Sequence, residues 1–138
     1  MSSPELETFL QTAIDLGASD LHIIAGVPPA FRVNGDILFG DHDALSATEA
    51  SEICYSLISQ EQRAHFEREW ELCVSIPHAN AGRIRATFYK RNGHPELSIR
   101  FCGEKIPSRE QLGLPQKIDE LARKPNGVVL IAGPTGSG

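Results

Sequence analysis

The sequence predicts an α+β domain followed by the first elements of an α/β domain, and three observations carry that expectation. Residues 71–101 contain three segments of strict apolar–polar alternation. Asn34-Gly35 stands between two short apolar runs. Val128-Val129-Leu130-Ile131-Ala132 runs directly into Gly133-Pro134-Thr135-Gly136-Ser137-Gly138. Alternation and an Asn-Gly hairpin belong to antiparallel sheets with one buried face. A short, mostly β-branched run bounded by glycine reads instead as a strand buried on both sides.

Taken in order, Ser3 caps a helix with Pro4 at its first position. Leu6, Phe9, Leu10, Ala13 and Ile14 form its apolar face, and Gly17 stops it. Ala18 to Ile24 reads as a strand, broken by Gly26 and Pro28-Pro29. Ala30–Val33 and Asp36–Phe39 pair across Asn34-Gly35, because a type I′ turn needs positive φ at two successive residues. Ser46-x-x-Glu49 and Ser59-x-x-Gln62 are capping boxes. The first opens a helix with Ala50, Ile53, Cys54, Leu57 and Ile58 inward. The second opens a short charged helix expected to be anchored by Phe66 and Trp70 at i, i+4.

Next come the alternating segments. Leu72, Val74 and Ile76 face inward on the first, Ile84, Ala86 and Phe88 on the second, and Leu97, Ile99 and Phe101 on the third. Arg83, Arg85 and Arg100 therefore point outward. With the earlier strands, the first hundred residues read as a sheet of about five antiparallel strands flanked by helices. Residues 103–107 have linker character. Ser108-x-x-Gln111 is a third capping box, for a turn ending at Gly113, and Ile118, Leu121 and Ala122 mark one more short helix.

Composition narrows the function. At 138 residues, 41% apolar and 22% charged, the chain is an ordinary globular one, long enough to bury a core. A net charge of −5 argues against a nucleic-acid partner held by bulk charge. No apolar run approaches the ~20 residues that span a bilayer, so no membrane insertion is expected. Cys54, Cys73 and Cys102 are odd in number and widely spaced, which suits reduced thiols in a cytosolic compartment. Neither they nor the histidines show paired-ligand spacing, so no metal site is expected.

The last six residues are G-x-x-x-x-G, the opening of the P-loop G-x-x-x-x-G-K-[ST]. A triphosphate needs several backbone N–H donors converging on its oxygens, and glycine lets the backbone close in. Gly133, Pro134, Thr135, Gly136, Ser137 and Gly138 are thus the candidate nucleotide-binding residues. The lysine and magnesium-ligating hydroxyl of the motif would come next, so the chain reads as a piece that ends inside a nucleotide site and is inactive alone. An ordinary glycine-rich tail is the plainer alternative. Asp20 and His22, at the start of a strand, read as local hydrogen-bonding groups rather than catalytic ones.

Several pieces occur in one order: Ala18-Ser19-Asp20-Leu21-His22; Pro29, Arg32, Val33 and Gly35 as P-x-x-R-V-x-G; Arg83-x-Arg85 and Arg100; Gln111-Leu112-Gly113-Leu114-Pro115; Lys124-Pro125-x-Gly127; and Gly133 to Gly138. Together they closely resemble the PilT-like retraction ATPases of type IV pili, within the secretion ATPase superfamily. The resemblance implies a PAS-like N-terminal domain (1–102), a linker (103–112) and the truncated start of a RecA-like P-loop ATPase domain (113–138). It implies that the full-length protein is a cytoplasmic homo-hexamer using ATP and Mg²⁺, peripheral to the inner membrane through the pilus platform protein. It also implies that arginines of the first domain reach the nucleotide phosphates, by position Arg85 and Arg100, with Arg83 a weaker candidate. A planar guanidinium fork suits that task; the plainer reading is an outward sheet face of solvated arginines. A pilus-extension or type II secretion ATPase of the same superfamily is an alternative, as is a free-standing PAS-like module that binds a ligand or partner without catalysis. Cys73, where an acidic residue is common, and Gly103-Glu104-Lys105 depart from the family pattern.

Overall fold

The computed structural model of the chain describes residues 3–102 and 108–133. Two compact units divide it, residues 1–104 and 105–138.

In the first unit, Ser3 caps helix α1 (Pro4–Asp15) by accepting from the Leu6 N–H. Leu6, Phe9, Leu10 and Ala13 are its buried stripe. Strand β1 (Asp20–Ile23) follows, then β2 (Ala30–Val33) and β3 (Asp36–Phe39). Between the last two, Asn34 and Gly35 take φ of 51° and 94°, as the hairpin requires. Helices α2 (Ala47–Ser56) and α3 (Gln60–Glu69) each open on a complete capping box, from Ser46 with Glu49 and Ser59 with Gln62. The chain ends this unit with β4 (Glu71–His78), β5 (Gly82–Arg91) and β6 (His94–Cys102).

All six strands join one antiparallel sheet in the order β3-β2-β1-β6-β5-β4. The count exceeds the expected five by one. Central β1 is paired on both sides, with β2 and with β6, so the short β2–β3 hairpin and the long β4–β6 meander fuse into a single sheet. Leu21, Phe31, Ile84, Ala86, Phe88, Leu97 and Ile99 project from one face into a core with Leu6, Leu10, Ala50, Ile53, Cys54 and Phe66 of the helices.

Trp70 does not anchor α3. The helix stops at Glu69, and Trp70 adopts φ 66° to turn the chain into β4. That left-handed step leaves Trp70 64% exposed, while Phe66 is fully buried.

In the second unit, Ser108 and Gln111 cap each other: the Ser108 N–H donates to Gln111 Oε1 (2.8 Å), and the Gln111 N–H to Ser108 Oγ (3.3 Å). Helix α4 (Lys117–Ala122) follows, and Arg109 Nε donates to Asp119 Oδ2 at 3.0 Å. Residues 128–132, expected as a strand, form none. Val128, Leu130 and Ile131 are each more than 80% exposed. A strand of this composition needs neighbours on both sides, and among the described residues none pairs with it.

Candidate functional site

The solvent-facing side of the six-stranded sheet gathers the arginines. In an antiparallel ladder, directly opposed residues share a face. The register therefore draws one row across all six strands: Ile37 on β3, Arg32 on β2, Asp20 on β1, Arg100 on β6, Arg85 on β5 and Ser75 on β4. The next position along, on the core side, is equally continuous: Leu38, Phe31, Leu21, Ile99, Ala86 and Val74. Core packing of that second row fixes the first, since a slip of one residue would bury the arginines.

Asp20 is the centre of the row. Its side chain is only 6% exposed. Arg100 Nε donates to its Oδ1 at 2.8 Å, Ser19 Oγ donates to its Oδ2 at 2.9 Å, and Arg32 Nε lies 3.6 Å from Oδ2. Burial alone would raise this carboxyl's pKa. The hydrogen bonds from Arg100 and Ser19, with the positive charges of Arg100 and His22, outweigh that and hold it below the usual carboxylate value. Arg32 is fixed further by a 3.0 Å bond from its Nη1 to the Gly35 carbonyl.

Arg85 and Arg100 stand directly opposite each other, and both are exposed. Among the described residues Arg85 has no acidic partner. Arg83 lies two residues along the same strand, also exposed, with Nη1 donating to Ser75 Oγ at 3.2 Å. Arg32, Arg83, Arg85 and Arg100 thus share a face with Asp20 as the acid in their row, so the patch is cationic. It offers several guanidinium forks to an anion with more than one oxygen.

His22 sits on the same face one row over, opposite Ser98 and Ala30. Its Nε2 is buried without a hydrogen-bond partner. Burial lowers its pKa; Asp20 pulls it upward, and Arg32 and Arg100 push it further down.

Of the six glycine-rich residues, only Gly133 lies within the described part, where it is exposed; Pro134, Thr135, Gly136, Ser137 and Gly138 lie outside it. No group of His, Cys, Asp and Glu among the described residues could hold a metal ion. No helix among them is long and apolar enough to cross a membrane.

The structure brings Arg83, Arg85 and Arg100 together, and adds Asp20 and Arg32, which the sequence reading did not place with them. The signal was the shared parity of Asp20, Arg32 and Arg100 on their strands. Using it required knowing that β1 pairs with both β2 and β6.

No family model matches the chain. Among curated proteins it is 34% identical over 97% of its length to the type IV pilus ATPase PilU of Pseudomonas aeruginosa, covering 35% of that protein. It is 33% identical over 88% of its length to the type IV pilus retraction ATPase PilT of the same organism, covering 36% of it. Among solved structures it matches a crystal structure of the pilus retraction motor PilT with bound ADP, at TM-score 0.79 and 37% identity. That match covers 96% of this chain and 39% of the other. The chain therefore spans little more than a third of the length of these relatives. Sequence and fold agree across nearly all of it, and the chain belongs to the PilT- and PilU-like family of type IV pilus ATPases, matching the N-terminal part of its members.

Proposed function

We propose that this chain is the N-terminal part of a hexameric motor that hydrolyses ATP with Mg²⁺ to retract type IV pili, and that Arg85 and Arg100 contact the nucleotide phosphates. In this reading residues 1–102 form the PAS-like domain, 103–112 the linker and 113–138 the start of the ATPase domain, with Gly133–Gly138 entering the P-loop. The motor works in the cytoplasm against the inner-membrane platform of the pilus. The observation that carries the reading is the opposed, exposed pair Arg85–Arg100 in a cationic row. Like charges directly across a ladder are unfavourable, and a bridging polyanion removes that cost. Phosphoryl transfer depends on such positioning and charge stabilisation. The ADP-bound PilT structure and the pilus ATPases among the relatives supply the nucleotide and the pilus.

The test is steady-state ATP hydrolysis by the full-length gene product carrying Arg85→Ala or Arg100→Ala, with melting temperature and hexamer formation followed in parallel. Both side chains leave the face opposite the core, so truncation opens no cavity. Turnover should fall on the order of 10³-fold, the typical cost of losing a phosphate-contacting arginine, with the fold and ring intact. Arg→Lys should rescue poorly, because an ammonium cannot reproduce the planar fork. Near-normal turnover in an intact ring would return these arginines to an ordinary solvated face.

A further inference from the structure

We propose that Asp20 is a positioning residue that aims the Arg100 guanidinium at the phosphates, with Arg32 as the counterweight on its other side. The inference rests on the reading of Arg100 as a phosphate contact.

Three observations support it. First, the carboxylate is buried while its guanidinium partners are not: Arg100 is 58% exposed and Arg32 41%, against 6% for Asp20. Exposed ion pairs are worth little, and burying a carboxylate is costly unless its lone pairs are filled. Here each oxygen accepts a hydrogen bond, Oδ1 from Arg100 and Oδ2 from Ser19, and the Arg32 charge lies 3.6 Å from Oδ2. Second, Asp20 engages Arg100 through Nε alone. A guanidinium carries its remaining four N–H donors on the two Nη groups. Among the described residues no acceptor takes them, so the end of the fork is left to meet a ligand. Third, Asp20 and Arg85 flank Arg100 on opposite sides of the same row. Attraction from Asp20 and repulsion from Arg85 act in the same direction on Arg100. A long, flexible side chain is thereby restrained before any anion arrives, and a restrained donor loses less entropy on binding. Arg32, held by the Gly35 carbonyl, places a second positive charge beside Oδ2, the oxygen that also accepts from Ser19.

The test uses the full-length gene product in a double-mutant cycle of Asp20→Asn and Arg100→Ala. Asp20→Asn keeps the size of the side chain and removes its charge. Misplacing one contact by about 1 Å can cost ~10²-fold, so kcat should drop by up to that factor while KM for ATP changes little. Asp20→Asn added to Arg100→Ala should cost nothing further, because the residue acts through that arginine. An additional readout needs no variant: in the ¹⁵N spectrum of this chain, the Nε–H of Arg100 should exchange with water more slowly than that of Arg85. A normal kcat for Asp20→Asn, losses that multiply in the double variant, or equal exchange at the two arginines would each overturn the inference while leaving the phosphate reading standing. Wild-type turnover by Arg100→Ala would instead sink the phosphate reading, and this inference with it.

Discussion

Arg85 faces Arg100 directly across the β5–β6 ladder, an unfavourable pairing of like charges, and the buried Asp20 flanks Arg100 on the other side. The alternation of β5 and β6 was enough to send both arginines outward. It was not enough to reveal Asp20, since the contact joins residues 80 apart in sequence through the unannounced pairing of β1 with β6. Cys54 was more legible: its place on the apolar stripe of α2 marked it as a core residue, and it is fully buried. Burial, with a smaller push from Glu96, raises its thiol pKa to about 12. The thiolate is the reactive form, so Cys54 should be inert. Cys73 and Cys102 are exposed. A disulfide-exchange reagent at pH 8 should titrate two thiols rapidly in the native chain and the third only after denaturation. Rapid reaction of all three would show that the α2 stripe opens far more readily than its packing implies.

Among the elements, those announced by a local chemical device formed as expected. Ser3, Ser46 and Ser59 cap their helices, and Asn34-Gly35 makes its hairpin. Elements that depend on distant neighbours were harder to read. Trp70 has helical spacing from Phe66, yet the strand that follows forces a left-handed residue at that point, and nothing local marks it. Residues 128–132 have strand composition and no partner among the described residues. The contrast between Phe66 and Trp70 is testable by urea unfolding. Phe66→Ala should cost ~3–5 kcal/mol, as truncation of a buried aromatic does. Trp70→Gly should stay within about 1 kcal/mol of wild type. Glycine relieves the left-handed strain, roughly 1–2 kcal/mol for a residue with a Cβ, and this offsets loss of the indole's contact with Lys90 at 5.6 Å. Equal destabilisation by the two changes would restore Trp70 as an anchor.

Across residues 1–104, one sheet separates two environments. Helices α1, α2 and α3 contribute to the core on one face, and the arginine row occupies the other. The α+β class was visible in the sequence because period-2 alternation reports a half-buried sheet wherever it occurs. Strand order was not, because alternation says which way a side chain points and nothing about which strand lies beside it. If Arg85 and Arg100 act as proposed, the arginine face meets nucleotide phosphates in the assembled motor. The most direct measurement is a structure of the full-length hexamer trapped with ADP and a phosphate mimic such as beryllium fluoride. The Arg85 and Arg100 guanidinium nitrogens should lie about 2.7–2.9 Å from phosphate or fluoride atoms in at least the closed subunits, the range of charge-assisted hydrogen bonds. Guanidinium groups pointing into solvent, beyond bonding reach of the nucleotide in every subunit, would rule out that role for the two arginines.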